Sequence, residues 1–189
     1  VYLKEAGMGI DLGAIAKGYA ADEVVRILKE EGVAHALINM GGNVIAMGGK
    51  PDGQPWKIGV QDPRSEGAQR HIAIIEVTDG SVVSSGDYER YMVDVYKKTG
   101  KRYHHIFDPS TGYPANSGLM ATTVVASNSI DADALSTTVF IMGAEKGLEM
   151  VEGLEGVDAM AITFDNKIYA SKGLKEKLVV TDKEYELQP

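Results

Sequence analysis

The sequence contains no cysteine, one tryptophan and three phenylalanines among its 189 residues. The absence of cysteine excludes disulfide bonds and thiolate metal sites, but it does not fix the redox compartment. Basic residues are in the minority, with 19 Lys and Arg against 27 Asp and Glu, so the formal net charge is −8. This balance argues against a nucleic-acid partner, which usually binds a basic face, and it is compatible with a site that collects divalent cations. No apolar run approaches the roughly 20 residues of a membrane-spanning helix.

Short strands in hairpins, with helices between some of them, indicate an α+β fold with a mostly antiparallel sheet. Strands are predicted at residues 35–40, 44–47, 56–60, 71–77, 81–84, 119–126, 156–163 and 167–170. A further hairpin is predicted from strands at 91–96 and 102–107, because a Lys-Lys-Thr-Gly-Lys turn separates them. Residues 64–69 are expected to form a polar loop. The charged tail after Lys175 is expected to pack loosely.

The longest helical pattern begins at Asp11, a suitable N-cap, and ends near Lys29 and Gly32. Its apolar residues recur every three or four positions and form one stripe: Leu12, Ile15, Ala16, Tyr19, Ala20, Val24, Ile27 and Leu28. Gly13 and Gly18 interrupt the first turns, and each costs about 1 kcal/mol relative to alanine. Two interpretations stay open. The helix is either a buried amphipathic element with incidental glycines, or its start lets another backbone, a phosphate or a flat ring approach.

Two further helices are predicted at residues 130–142, with Ser129 as the N-cap, and at 144–152. In the first of these, Asp133 and Thr137 are four residues apart and therefore share one face. A carboxylate and a hydroxyl are hard oxygen ligands, suited to Mg²⁺ or Ca²⁺. Alternatively, the threonine bonds a carbonyl one turn back. Asp131 lies in the first turn of this helix, where a favourable interaction with the helix macrodipole is enough to explain it.

The segment from His105 to Pro114 is dense in chemistry-bearing residues at the end of a predicted strand. A titratable histidine in such a position is suited to act as a general base. The alternative is an Asp-Pro turn at Asp108 with the histidine in solvent. His104 is expected to face the other side of the strand.

Two glycine-containing loops have equally open interpretations. Gly41-Gly42-Asn43 either presents backbone N–H groups to a phosphate or ring, or forms a plain turn. The loop from Ser84 to Tyr88 is either a turn or a polar loop whose aromatic ring stacks on a base or flavin.

Together, in this order, five segments resemble the ApbE family, the FAD:protein FMN transferases. They are Asp11–Ala20, Asn39–Asn43, Ser85–Arg90, His105–Pro114 and Asp131–Thr137. The segment Trp56–Pro63 also looks like the family. The likeness runs from Asp11 to about Gly143, and the set is specific although each part alone is not.

The resemblance implies a T-fold-like α+β architecture that binds FAD and Mg²⁺. It implies cleavage of the FAD pyrophosphate and transfer of FMN to a threonine hydroxyl of an acceptor protein, as a phosphoester, with release of AMP. Typical acceptors are subunits of membrane redox complexes and extracytoplasmic flavoproteins. The implied location is therefore extracytoplasmic, either periplasmic or as a cell-membrane lipoprotein. Some members instead hydrolyse FAD to FMN and AMP.

The family's site residues can be carried over by position. Asp133 and Thr137 match its metal-binding side chains, and Ala14 matches a metal contact that we expect to be made by the backbone carbonyl. His105 matches the proposed base that activates the acceptor hydroxyl. Three positions match residues that contact the cofactor: Asp11, Lys17 and Phe107.

Family members carry a further region before the first of these segments, and that region contributes isoalloxazine and adenine contacts. We expect residues 1–189 to be one domain that corresponds to the C-terminal catalytic part. Three functions are thus compatible with the sequence: Mg²⁺-dependent FMN transfer to a protein, Mg²⁺-dependent FAD pyrophosphatase activity, and flavin binding without catalysis.

Overall fold

The computed structural model describes residues 1–65 and 70–189, so most of the polar loop predicted at 64–69 lies outside the described residues. The helices are α1 (Gly13–Glu30), α2 (Val93–Thr99), α3 (Ser129–Met142), α4 (Ala144–Glu152) and α5 (Lys172–Lys175). The strands are β1 (Ala36–Met40), β2 (Asn43–Met47), β3 (Trp56–Gln61), β4 (His71–Val77), β5 (Gly80–Gly86), β6 (Phe107–Asp108), β7 (Tyr113–Pro114), β8 (Leu119–Ala126), β9 (Asp158–Thr163), β10 (Lys167–Ala170), β11 (Leu178–Val180) and β12 (Glu186–Leu187).

The strands form one large and two small sheets. The large sheet has seven strands in the order β1-β2-β5-β8-β9-β10-β12, and a three-stranded sheet has the order β11-β4-β3. Strands β6 and β7 form a separate ribbon. Neighbouring strands pair antiparallel, apart from the parallel pair β10 and β12. The predicted α+β fold with a mostly antiparallel sheet is therefore confirmed.

The large sheet is covered on both faces, which explains why all eight residues of β8 are buried. Successive residues of a strand point to opposite faces, and β5 follows this rule. Val82 packs into the core shared with the three-stranded sheet. Val83 packs with Ala132, Val139 and other residues of the helical layer. The molecule thus has three layers, and α3 lies directly on β5 and β8.

The hairpin predicted over 91–107 is wrong, because its first strand is helix α2. Asp94 in the first turn and lysines in the last turn favour a helix through the macrodipole. Gly100 ends the helix with φ of 70°, a left-handed conformation that glycine adopts at low cost. The apparent alternation of apolar residues was too short to distinguish a strand from one side of a two-turn helix.

The C-terminal tail packs more closely than its charge suggests. Strand β11 pairs with β4, and Tyr185 is buried and donates a hydrogen bond to Asp62 at 2.7 Å. Arg70 binds Asp182 at 2.5 Å and Glu184 at 2.8 Å. The charges that favoured a loose tail are thus used in ion pairs.

Helix α1 lies at the edge of the molecule. Its buried residues are Gly18 and Ala21, whereas Leu12, Tyr19 and Ile27 of the predicted apolar stripe are exposed. The interpretation of α1 as a buried amphipathic helix is therefore wrong. Across the two described ranges, none of the helices combines the length and apolar character needed to cross a bilayer.

Candidate active site

Helices α1 and α3 touch backbone to backbone at Gly18. A Cβ atom built on Gly18 would lie 2.7 Å from the Cα atom of Ile130 and would collide with the carbonyl oxygen of Ser129. Any larger residue would force the helices apart. Gly18 therefore allows the approach of another backbone, which is one of the possibilities that the sequence left open.

Asp22, one turn further along α1, binds the start of α3. Its two carboxylate oxygens accept the N–H groups of Ser129 at 2.7 Å and Ile130 at 2.9 Å. The N-cap of α3 is Asn128, whose side chain accepts from Asp131 at 3.1 Å. The prediction of Ser129 as the cap is therefore wrong, since the free N–H groups of the first turn are satisfied by Asn128 and by a distant carboxylate.

Asp22→Ala is expected to lower the free energy of unfolding by about 1–2 kcal/mol, the range for loss of a helix-capping side chain. The measurement is urea unfolding followed by circular dichroism. Glu23→Ala is the matched control, because Glu23 bonds the exposed Arg26 on the same helix. Equal changes in the two variants would contradict the capping role of Asp22.

The carboxylate of Asp133 lies at this helix crossing and is almost completely buried. Its Oδ2 atom accepts the N–H of Gly18 at 2.8 Å. In a regular helix that N–H points at the carbonyl of residue 14. The carboxylate of Asp133 and the carbonyl of Ala14 therefore both face the Gly18 N–H.

Thr137 lies one turn after Asp133 on α3, next to the end of β5. Its hydroxyl is 3.4 Å from the Asp133 carbonyl oxygen and 3.3 Å from the hydroxyl of Ser85. Ser85 is also 2.8 Å from the hydroxyl of Ser136. The hydrogen bond from the Thr137 hydroxyl to the carbonyl one turn back, which was the alternative to metal binding, is therefore present. The same hydroxyl also lies near the hydroxyl of Ser85.

These groups fit a hard divalent cation. Asp133, Thr137 and the Ala14 carbonyl supply only oxygen donors, and Asp133 Oδ1 receives no hydrogen bond from the described part of the chain. Within residues 1–65 and 70–189 there is no group of three or more His, Asp or Glu side chains that could hold a metal. One carboxylate with neutral oxygens is still typical of Mg²⁺, which commonly takes its other ligands from water and substrate phosphate.

Lys17 is held beside the Gly-Gly turn that precedes β2. Its ammonium donates to Asn43 Oδ1 at 3.0 Å, and Asn43 is fully buried. The Nδ2 atom of Asn43 has no hydrogen-bond partner among the residues described. Gly41 and Gly42 have φ values of 59° and 98°. The turn thus leaves a lysine and an unpaired amide donor beside α1.

Asp11 is exposed just before α1, and its Oδ1 atom accepts the N–H of Gly13 at 2.7 Å. The N-cap position is occupied by Leu12, and no side chain caps it. The prediction of Asp11 as the N-cap is therefore wrong by one residue, although its carboxylate does bond a free N–H of the first turn.

His105 is exposed, and its surroundings define its tautomer. Its Nδ1 atom is 3.2 Å from the carbonyl oxygen of Arg90. Because a carbonyl can only accept, Nδ1 carries the hydrogen, and in the neutral form of the ring the lone pair therefore lies on Nε2. A neutral imidazole with an accessible Nε2 lone pair is what a general base requires.

His104 faces the interior, as the alternation predicted, and is 6% exposed. Its Nε2 atom donates to the carbonyl of Ala115 at 3.1 Å, and its Nδ1 atom accepts from Ile106 at 3.3 Å. The ring meets Phe140 edge-on at 5.4 Å. Burial lowers the pKa of His104, because it disfavours the charged imidazolium. His104 is therefore a neutral structural residue.

The lowered pKa of His104 makes stability dependent on pH. Its stabilising contribution is complete above the unfolded-state pKa of about 6.5 and is lost as pH falls towards the folded-state pKa. His104→Gln is expected to be less stable at neutral pH by about 1–3 kcal/mol, because buried hydrogen bonds are lost. The loss of stability between neutral and mildly acidic pH is expected to be smaller in this variant than in the wild type, and urea unfolding at each pH measures it. Parallel pH curves would contradict the prediction.

Phe107 lies two residues after His105 and is 56% exposed, so both side chains share the outer side of this segment. Asp108 begins a turn in which it accepts the N–H and hydroxyl of Ser110 at 2.8 and 2.7 Å. These two bonds lower the pKa of Asp108. The structure therefore shows the Asp-Pro turn with His105 in solvent that was the alternative interpretation, and the role of His105 as a general base stays a prediction.

The predicted residues fall into two groups. The helix crossing joins Asp133, one turn before Thr137 on α3, to Gly18 of α1. Ala14 and Lys17 lie on the first turns of α1, and Asp11 lies just before them. His105 and Phe107 lie on the separate segment before β6. Asn43 and Ser85, which bond Lys17 and Thr137, and Asp22, which bonds the start of α3, were missed because each contact joins residues at least 26 positions apart.

A family model described as the ApbE family matches residues 1–161. The FAD:protein FMN transferase of Treponema pallidum (strain Nichols) is 39% identical over 196 residues, which cover 100% of this chain and 53% of the relative. The FAD:protein FMN transferase of Klebsiella pneumoniae (strain 342) is 40% identical over 187 residues, covering 99% of this chain and 56% of the relative.

Solved structures that are similar to this chain come from the same family. The ApbE protein of Thermotoga maritima superposes with a TM-score of 0.79 and 40% identity, over 91% of this chain and 54% of that chain. The flavin transferase ApbE of Vibrio cholerae gives a TM-score of 0.74 and 32% identity, over 89% and 52%. The chain thus spans about half the length of the relatives that it matches.

Proposed function

Since the chain belongs to the ApbE family, we propose that it transfers FMN from FAD to a threonine hydroxyl of an acceptor protein, with Mg²⁺ as cofactor and AMP as the second product. The observation that carries the proposal is the helix crossing, where the buried Asp133 carboxylate, one turn from Thr137, accepts the Gly18 N–H in the second turn of α1. This donor set suits a cation that binds a pyrophosphate.

In the proposed reaction, the threonine oxygen forms a bond to the FMN phosphorus and the bond to the AMP oxygen breaks. The threonine proton passes to the Nε2 atom of His105, which is available because Nδ1 bonds the Arg90 carbonyl. Asp133, Thr137 and the Ala14 carbonyl would hold Mg²⁺, which neutralises charge on the pyrophosphate oxygens when bound. Lys17, fixed by Asn43, adds positive charge beside the phosphates.

The experiment is incubation of the protein with FAD and MgCl₂, with and without an apo-flavoprotein subunit of a membrane redox complex. AMP is measured by chromatography and covalent flavin by in-gel fluorescence. We expect both products only with the acceptor, none with EDTA, and none when the acceptor threonine is replaced by alanine. FAD binding without any AMP would overturn the proposal and favour a non-catalytic flavin-binding domain.

FAD pyrophosphatase activity is the second candidate, because the His105 side chain is exposed to water, which can replace threonine as the nucleophile. AMP formation at the same rate without the acceptor would favour it.

We further propose an extracytoplasmic location, since the acceptors implied by the resemblance are found there. Residues 1–189 as one catalytic domain remain a prediction. Cell fractionation tests the location, and limited proteolysis tests the single domain.

A further inference from the structure

A cleft of about 450 Å³ lies beside the proposed catalytic histidine and contains none of the residues assigned to flavin or metal binding. Arg102 and His104 line one side of it, and residues 113–119 with Phe164 line the other. We call it the Arg102 cleft. His105 follows His104 directly but does not line the cleft. A molecule that occupies the cleft would therefore lie beside the segment that carries the base, without occupying the position of the base.

Two guanidinium groups, those of Arg64 and Arg102, share one carboxylate at the wall of the Arg102 cleft. Asp87 is almost fully buried and accepts two hydrogen bonds from Arg64, at 2.6 and 2.9 Å. Arg102 approaches the same carboxylate only to 3.9 Å. Since Arg64 already neutralises Asp87, the guanidinium of Arg102 has no hydrogen-bonded counter-ion within residues 1–65 and 70–189.

The guanidinium of Arg102 is also held in place. Its Cζ atom lies 5.3 Å from the ring centre of Tyr91 and 4.6 Å from that of Tyr96. Its Nε atom is buried and has no acceptor among the described residues. A buried N–H without an acceptor is costly. The ring contacts fix the group but leave this cost in place, and a bound carboxylate would supply the missing counter-charge.

The chain around the cleft is basic although the whole protein is acidic. Residues 90–102 include five Arg or Lys and one acidic residue, whereas the net charge of the chain is −8. Lys101 is exposed and lines the cleft. Two large rings that line the cleft, Tyr113 and Phe164, are 71% and 60% exposed. Exposed aromatic rings beside an arginine are typical of protein interfaces.

We propose that the Arg102 cleft binds an acidic segment of the acceptor protein and thereby brings the neighbouring threonine to His105. The occupant is a peptide with Asp or Glu side chains, whose carboxylate pairs with Arg102. The identity of the partner as an acceptor rests on the proposed function, but the binding of an acidic peptide to this cleft does not.

The first test is a titration of the ¹⁵N-labelled protein with acetylated tetra-aspartate amide, followed by nuclear magnetic resonance. We expect saturable shifts confined to residues 101–104 and 113–119, with tetra-asparagine amide giving none. Arg102→Gln is expected to weaken binding by about tenfold or more, as loss of a charged hydrogen bond predicts. Lys29→Gln, a basic residue of the last turn of α1, is the control and is expected to bind as the wild type.

Because Arg102 contacts two rings, Lys101→Gln provides a second variant that changes only an exposed charge, and it is expected to weaken binding several-fold. Equal binding of both peptides, shifts elsewhere on the surface, or unchanged binding in both variants would overturn the proposal. Inorganic phosphate that binds as tightly as tetra-aspartate would show a simple anion site and would also overturn it.

The transfer assay gives an independent readout. In Lys101→Gln the KM for the acceptor protein is expected to rise several-fold while the KM for FAD stays unchanged. Absence of transfer in the wild type would refute the proposed function and leave the peptide titration interpretable. Transfer in the wild type with an unchanged acceptor KM in Lys101→Gln would refute the Arg102 cleft alone.

Discussion

Asp133→Asn is expected to lower Mg²⁺-dependent AMP formation by about 100-fold or more, which corresponds to about 2.7 kcal/mol of lost transition-state stabilisation. The asparagine oxygen can still accept the Gly18 N–H that Asp133 accepts at 2.8 Å. The contact between α1 and α3 is therefore preserved, while the negative charge that we propose attracts a divalent cation is removed. The measurement is AMP formation from FAD in the presence of the acceptor protein at increasing MgCl₂ concentration.

Two readouts distinguish loss of metal binding from loss of folding. The Tm without MgCl₂ is expected to change little, whereas the rise in Tm on addition of MgCl₂ in the wild type is expected to disappear. Asp131→Asn is the matched control, because Asp131 is an exposed carboxylate in the first turn of the same helix. An unchanged Mg²⁺ dependence in Asp133→Asn would exclude Asp133 as a metal ligand.

The local part of this site could be predicted from the sequence, because helical periodicity fixes the spacing of Asp133 and Thr137 before any fold is known. The apolar run Leu119–Ala126 was equally clear, since a strand buried on both faces needs no polar alternation. These predictions depend on residues a few positions apart. The structure then adds where each face points.

The rest of the site depends on contacts between distant parts of the chain. The hydrogen bond from Gly18 to Asp133 spans 115 positions, and the bonds from α3 to Asp22 span at least 107. Nothing in the local pattern of α1 identifies Asp22 as the partner of a second helix. Gly18 did give a signal, because a glycine in a helix costs stability, but the group that approaches it could not be chosen from the sequence.

The errors in secondary structure have a similar origin. The residues now in α2 carried both a short apolar alternation and the charges and glycine of a short helix, so the two signals competed. The apolar stripe of α1 was identified from the sequence, and one of the two open interpretations placed it in the interior. Periodicity shows which residues share a face, and only the packing of other elements decides whether that face is covered.

His105→Gln is expected to lower FMN transfer to the acceptor by about 10² to 10⁴-fold, the usual contribution of a general base. A glutamine amide can still donate to the Arg90 carbonyl, as Nδ1 of His105 does at 3.2 Å, but it cannot take the threonine proton. FAD binding, measured by fluorescence, is expected to remain. Transfer is measured by covalent flavin formed per unit time.

His35→Gln is a close control, because His35 is also exposed and its Nδ1 atom also lies near a backbone carbonyl, that of Gly49 at 2.6 Å. Its transfer rate is expected to match the wild type. If the wild type also formed some AMP without the acceptor, and His105→Gln kept that activity while it lost transfer, His105 would act on the acceptor hydroxyl alone. Equal loss of transfer and of acceptor-independent AMP formation would mean that His105 also activates water. In either reaction the oxygen that attacks the phosphorus must lose a proton. Unchanged transfer would exclude His105 as the base.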